Sequence, residues 1–301
     1  MKKIIKLNEF ANNHYIIQRK LKIIFVVSIS TFVFQITGGI LSNSLALIAD
    51  SFHLLIDFSA IGITLFAFRI ANRPHSPKLT FGFHRAEILA AFINGITLII
   101  MAGIILFEAY QRFFHPSEID TEILLIFASI GLAANIVMMI LLKPQSKSNL
   151  NIKGAYLHVI GDLLSSVGVI AGALIIYFTA FPIIDTIVSV GIAILILRSG
   201  LLLCKKCLHI FMEGTPTEIN SKDISKELEN FEEITEVHDL HVWTLTSNLY
   251  AMTVHVKVKP EFLHKTNELL KKINKTLKQR FGITHCTIQI ESDQDLIRPD
   301  K

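Results

Sequence analysis

Long apolar runs alternate with short polar segments over the first two thirds of the chain, which becomes charged after about Glu213. A helix of about 20 apolar residues spans the roughly 30 Å hydrocarbon core of a bilayer. Six runs are long enough, so the pattern predicts a bundle of six transmembrane helices. They lie near residues 22–41, 45–68, 87–112, 122–142, 155–178 and 183–204.

The charged segment after the sixth run predicts a small α+β domain. Gly214-Thr-Pro216 marks its start, and alternating Val, Thr and aromatic residues indicate strands. The predicted order is αββαβ: a helix at 217–230, strands at 236–245 and 249–258, a helix at 261–280 and a strand at 285–291. The expected domains are an N-terminal arm (1–21), a six-span membrane domain (22–212) and a C-terminal domain (213–301).

Composition excludes several classes of protein. With 51% hydrophobic and 18% charged residues, a soluble domain of 301 residues could not cover its surface with polar groups. Three cysteines are too few for a disulfide framework. A polar stretch precedes the first apolar run and no cleavage site follows it, which argues against a cleaved signal peptide. The basic residues behind the net charge of +4 lie between the apolar runs, so they indicate the orientation of the protein in the membrane. No nucleic-acid partner is expected.

Basic residues predict the orientation in the membrane. The N-terminal arm and the second and fourth loops contain thirteen Lys and Arg residues, whereas the alternate loops contain only Arg112. Positive loops stay on the cytosolic side, so both termini are expected in the cytosol of a multi-pass protein, most simply in the cell membrane.

Ionisable side chains inside a membrane are costly and indicate a function. The second run contains His53 and Asp57, and the fifth contains His158 and Asp162. Residues four apart share one face of a helix, so each run offers an imidazole and a carboxylate on one side. Counting about 1.5 Å per residue from the predicted membrane edges places the two pairs at overlapping depths.

Two imidazoles and two carboxylates suit a four-coordinate divalent cation, with Zn²⁺ the first choice. The two carboxylates also neutralise the charge of the ion. The alternative is that each pair forms only an intrahelical hydrogen bond. Asp50 shares the face of His53 and Asp57, and it is either an accessory ligand or a hydrogen-bonding support.

Five segments in order resemble the zinc-transporting branch of the cation diffusion facilitator family. They are Ala49-Asp-Ser-Phe-His53-Leu-Leu-Ile-Asp57, Thr80-Phe-Gly-Phe-His-Arg-Ala-Glu87, Asn151-Ile-Lys-Gly-Ala-Tyr-Leu-His158-Val-Ile-Gly-Asp162, Glu213-Gly-Thr-Pro216 and Val237-His-Asp-Leu-His-Val-Trp243. The resemblance implies zinc efflux in exchange for protons, with His53, Asp57, His158 and Asp162 as the transport site. It also implies a homodimer with metallochaperone-like cytosolic domains. Zinc-transporting members of the eukaryotic type often carry a histidine-rich loop between the fourth and fifth spans. The loop at 143–153 departs from that pattern because it contains no histidine.

The resemblance implies a second zinc site in the cytosolic domain, at His238, His255, His285 and Glu291. Strand parity is compatible with this set, because residues an even number apart share a face. The same rule turns His241 away from His238. The alternative is a group of ordinary surface histidines. His75 and His84 in the second cytosolic loop are accessory candidates, although loop histidines are commonly only solvated.

Three classes of function are compatible with ionisable residues inside a membrane. A zinc/proton antiporter is favoured, with cobalt, cadmium or iron as alternative main substrates. A membrane metal sensor without transport would need an output module, which the tail does not contain. An intramembrane metalloenzyme would need an open coordination position, and four protein ligands leave none. The sequence therefore predicts a transporter and not an enzyme.

Overall fold

The computed structural model describes residues 25–55, 70, 77–146, 150–246 and 249–292, and it leaves the side chains at 144–155, 157 and 158 undescribed. Helix α1 spans Phe25–Ser42 and α2 spans Leu45–Leu55. Four longer helices follow: α3 (Ala86–Phe114), α4 (Thr121–Ser146), α5 (Leu150–Thr179) and α6 (Ile183–Phe211).

Five of these helices, α1 and α3 to α6, are long and apolar enough to cross a membrane. Helix α2 is also apolar and is described only to Leu55, so the rest of the predicted span 45–68 lies outside the described residues. The C-terminal region forms a small α+β domain. The predicted fold class, a helical membrane domain followed by an α+β domain, is confirmed.

A buried carboxylate from α6 caps the first turn of α2. Asp185 accepts hydrogen bonds from the backbone amides of Leu45 (2.7 Å) and Ala46 (3.3 Å) and from the hydroxyl of Ser44. The first amides of a helix have no partner within the helix, and leaving them unpaired in an apolar environment costs several kcal/mol each. Asp185 therefore fixes the start of the helix that carries His53.

The C-terminal domain contains two helices, a 3₁₀ turn and three strands. Helix α7 (Ser221–Glu229) precedes β1 (Ile234–Thr246) and β2 (Leu249–Val258). The 3₁₀ turn Pro260–Lys265, helix α8 (Thr266–Phe281) and strand β3 (His285–Ser292) complete it. The elements follow the predicted order, and only the start of the predicted helix 261–280 takes the 3₁₀ form.

The sheet has the order β1-β2-β3, with β1 antiparallel and β3 parallel to the central strand β2. Alternate residues of β2, including Met252 and Val254, are buried against apolar side chains such as Leu228 on α7 and Ile273 on α8. The intervening residue His255 lies on the opposite face, because successive strand residues point to opposite sides. The candidate metal ligand thus lies on the face away from the core.

A β-bulge interrupts β1 between two histidines. His238 pairs with His255, whereas His241 pairs with Thr253, so three steps along β1 match two along β2. Asp239, within the bulge, has a φ of 50°. The extra residue reverses the alternation of side chains along β1, so His241 lies on the same face as His238 and His255. The expectation that His241 points away from His238 is therefore wrong.

The chain divides into two compact units. Among the described residues, the first contains α1, α2, α3 from Ile93, α4, α5 and α6 up to Leu202. The second contains the start of α3 up to Phe92, the end of α6 from Leu203 and all the later elements.

Candidate metal sites

Two of the predicted intramembrane ligands meet between α2 and α5. His53 Nε2 lies 3.5 Å from Asp162 Oδ1, and the side chains are 23% and 6% exposed. These residues are more than a hundred positions apart in the sequence, and an apolar bundle brings them together. An imidazole facing a nearly buried carboxylate across two helices is a suitable half of a metal site.

The other two predicted ligands are not described at the level of side chains. Asp57 lies outside the described residues, and His158 is placed as a residue of α5 four positions before Asp162. That spacing puts His158 on the same helical face as Asp162. Coordination by all four residues stays a prediction.

Asp50 lies three residues before His53 and is 3% exposed. Its carboxylate accepts hydrogen bonds from the Gln35 amide (2.9 Å) and from the hydroxyls of Ser165 (2.6 Å) and Ser166 (3.4 Å). Both carboxylate oxygens are therefore engaged with side chains of α1 and α5. This geometry is that of a hydrogen-bonding support which holds α2 against α5.

A small residue makes space for this network. A Cβ atom at Gly131 on α4 would lie 2.2 Å from Gln35 Nε2, so a larger residue there would displace the amide that binds Asp50. On the other side, the Asn135 amide of α4 donates to Ser166 Oγ (3.0 Å). Polar side chains of this kind join helices within an apolar environment. Gln35 and Asn135 both lie within apolar runs of the sequence, and only the structure identifies their partners.

A second cluster occupies the open face of the C-terminal sheet. His238 Nε2 lies 3.1 Å from Glu291 Oε2, and His255 Nδ1 lies 2.9 Å from Glu291 Oε1. The ligand atoms of the three residues all lie within 4.8 Å of one another. Among the described residues, this is the only group of three or more His, Cys, Asp or Glu side chains with that geometry.

The structure does not bring His285 to this cluster. In the parallel register of β3, His285 pairs with Ala251 and Glu291 pairs with Lys257, so the two residues lie at opposite ends of the strand. Six residues of strand span about 20 Å. The alternation of side chains predicted the correct face for His285, but alternation gives no information on how far apart two residues lie along the strand. The His285 ring instead packs edge-on against Phe81, with centroids 5.4 Å apart.

The accessory candidates are not brought into a described cluster. His84 is half-buried just before α3, whereas His75 lies outside the described residues. Cys204 and Cys207 on α6 are both buried free cysteines, and they are not part of the only clustered ligand group in the described residues.

The three clustered residues fit a zinc ion by the chemistry of their donors. Two imidazole nitrogens and a carboxylate are typical zinc ligands, and a fourth position would be open to water or to another ligand. One observation also favours an ion there: both imidazoles direct a ring nitrogen at the same carboxylate, so the three candidate ligand atoms converge. His238, His255 and Glu291 would therefore hold the ion.

Apolar helices with paired ionisable residues define an integral, multi-pass membrane protein. Family models agree with this class: the cation efflux transmembrane domain matches residues 21–212, and the cytoplasmic domain of cation efflux proteins matches residues 216–293. The chain belongs to the cation diffusion facilitator family of metal transporters.

Characterised relatives are similar over nearly their whole length. A cadmium, cobalt and zinc/H⁺-K⁺ antiporter of Bacillus velezensis is 42% identical over 91% of this chain and 88% of its own length. The metal cation efflux system protein CzcD of Cupriavidus metallidurans is 40% identical over 91% and 86%. The zinc transporter ZitB of Pectobacterium atrosepticum is 39% identical over 91% and 85%.

Proposed function

We propose that this protein exports divalent metal cations from the cytosol, with zinc as the main substrate, in exchange for protons. The observation that carries the proposal is the meeting of His53 and Asp162 across α2 and α5, with Nε2 and Oδ1 3.5 Å apart. Asp57 and His158 are four positions in the sequence from His53 and Asp162, so continuous helices would make two imidazoles and two carboxylates available for one ion. The names of the relatives, a zinc transporter and a cadmium, cobalt and zinc antiporter among them, support the substrate.

The charge of the ligands explains how a divalent ion can cross the hydrocarbon. A charged group at the centre of a bilayer is strongly disfavoured unless a partner neutralises it. Asp57 and Asp162 supply two negative charges, so the loaded site is close to neutral. The Asp50 network with Gln35, Ser165 and Ser166 keeps α2 and α5 in register, so that the ligands stay within reach of one ion.

Proton exchange follows from the same ligands. A metal ion binds neutral imidazole and ionised carboxylate, so loading zinc expels any protons that the site holds. Imidazole is the side chain that changes charge most readily near neutral pH. Protons arriving from outside would compete with zinc and release it there. The name of the Bacillus velezensis antiporter, which includes H⁺ and K⁺, supports this coupling.

The orientation and assembly are part of the proposal. The excess of Lys and Arg in alternate loops supports cytosolic termini and a place in the cell membrane. The match to the dimerising cytoplasmic domain of cation efflux proteins supports a homodimer. The cluster at His238, His255 and Glu291 would then sense cytosolic zinc.

Cobalt and cadmium are the alternative substrates that the relatives favour. One relative is named for cadmium, cobalt and zinc together, and nitrogen and oxygen ligands do not discriminate strongly among these ions.

Liposomes that contain a zinc dye and a pH dye test the proposal directly. Purified protein should move zinc down its gradient and move protons in the opposite direction, and each divalent ion can be tried in turn. Zinc should give the highest kcat/KM. Liposomes with protein that conduct no divalent ion faster than empty liposomes would contradict a transport function and favour a metal sensor.

Zinc should also stabilise the C-terminal domain. Residues 213–301 expressed alone should dimerise, and zinc at about 100 times Kd should add about 2.7 kcal/mol, which raises Tm by about 10 °C or more in a domain of this size. Calorimetry with and without zinc measures this shift. Glu291→Gln should reduce it, while Glu261→Gln, outside the cluster, serves as the matched control. A Tm that is indifferent to zinc would leave dimerisation as the only role.

A further inference from the structure

Asp239 has a backbone conformation that is unusual for a non-glycine residue within a strand. Its φ of 50° is in the left-handed region, within a strand and within the β-bulge of β1. Non-glycine residues in this region carry a cost, although Asp tolerates it better than most. Backbone strain of this kind clusters at functional sites.

The carboxylate of Asp239 faces the edge of His255 that points away from Glu291. His255 Nδ1 is 2.9 Å from Glu291 Oε1, and its Nε2 is 3.5 Å from Asp239 Oδ2. His238 approaches the same Glu291 with its Nε2. An ion held by the three donors would thus lie on the Nδ1 side of His255, and Nε2–H would remain to donate to Asp239.

The second oxygen of Asp239 has its own partner. Asp239 Oδ1 lies 2.9 Å from His241 Nε2, and the bulge places His241 on this face of the sheet. The His241 contact orients the carboxylate towards His255. By contrast, Nδ1 of His238 is buried and has no hydrogen-bond partner among the described residues. His255 is therefore the ligand whose outer edge faces an anion.

We propose that Asp239 is the positioning residue of the C-terminal metal site. Its carboxylate selects the tautomer of His255 that carries the proton on Nε2, and it holds the ring with Nδ1 directed at the metal. A carboxylate behind a ligating imidazole also makes the imidazole a stronger donor, and losing one typically weakens metal binding by 10-fold to 100-fold. This inference rests on the metal site included in the proposed function.

The competing explanation is that position 239 needs only a residue which tolerates positive φ. Glycine adopts this backbone at no steric cost but has no carboxylate. Asp239→Gly therefore separates the two explanations, since it keeps the bulge and removes the side chain. Asp239→Asn keeps both the tolerance of positive φ and an acceptor oxygen, so it is the conservative variant.

The experiment measures zinc affinity and Tm of the full-length protein in detergent, in an Asp162→Ala background that silences the transport site. Asp239→Gly should weaken zinc binding about 10-fold to 100-fold, while Tm of the metal-free protein stays within about 2 °C. Asp239→Asn should recover most of the affinity. His241→Ala should weaken binding less than Asp239→Gly, because it loosens the carboxylate without removing it.

Unchanged zinc affinity in Asp239→Gly would overturn the inference. If Asp239→Gly also lowers Tm of the metal-free protein, Asp239→Asn decides: recovered affinity supports the positioning role, and a loss equal to that of glycine overturns it. If His255→Ala leaves zinc binding in this background intact, the C-terminal site itself is wrong, and the inference falls with it. Zinc flux by the wild-type protein tests the transport function separately.

Discussion

Replacing Asp57 or His158 with alanine is expected to reduce zinc flux to the level of empty liposomes, a loss of at least about 100-fold. Each change removes one of the four proposed ligands, and Asp57→Ala also removes one of the two charges that neutralise the ion. In Asp57→Ala, the remaining three ligands would carry an uncompensated positive charge through the hydrocarbon, which the bilayer strongly disfavours. Zinc uptake by a dye in proteoliposomes measures the effect.

A matched control uses a carboxylate of the helical membrane domain that is not one of the proposed ligands. Asp120 is exposed and accepts hydrogen bonds from the amides of Glu122 and Ile123 at the start of α4. Asp57→Asn should abolish flux, while Asp120→Asn should retain it within about twofold. Equal amounts of monodisperse protein in the liposomes exclude a folding defect. Full zinc flux from a correctly inserted Asp57→Ala protein would contradict the assignment of the transport site.

A pH gradient is expected to drive zinc transport with a defined sign. Zinc leaving the cytosolic side should be accompanied by acidification of that compartment, and acid on the outer side should accelerate efflux. Protons that bind the outward-facing site displace zinc and keep the returning site near neutrality, because imidazolium offsets carboxylate. Each exchanged proton makes one pH unit equivalent to about a tenfold zinc ratio at equilibrium.

The variant His53→Asp gives this expectation a second test. It replaces a nitrogen ligand by an oxygen ligand, so proton coupling should weaken and larger or oxygen-preferring ions should be transported better relative to zinc. Zinc and pH dyes in the same vesicles record both fluxes. Wild-type zinc flux that moves no protons and ignores the gradient would remove the antiport mechanism, while the metal site could still be correct.

The periodicity of the sequence was sufficient for the architecture. Five of the six predicted spans appear as long apolar helices, and the strands of the C-terminal domain begin and end close to the predicted residues. These features depend on local pattern: a membrane selects for long apolar runs, and a half-buried strand selects for alternation. The facing of His53 and Asp162 could be anticipated for the same reason, since their depths follow from counting residues along straight helices.

Tertiary structure alone decided the polar contacts that support the helices around this pair. Asp185 caps α2 from α6, and Asp50 binds Gln35 and Ser165, although no local pattern links these residues. Such contacts depend on how helices pack, and their partners are distant in the sequence.

In the C-terminal site, too, the sequence predicted some features and only the pairing of the strands decided others. Alternation allows His238 on β1 and His255 on β2 to share one face, and the antiparallel register of the two strands places them directly opposite each other. The bulge at Asp239 then reversed the face expected for His241, and the parallel register left His285 at the far end of β3 from Glu291. The sequence by itself determined the elements and the chemistry of their side chains, whereas bulges and register, which arise from pairing between strands, decided the members of the site.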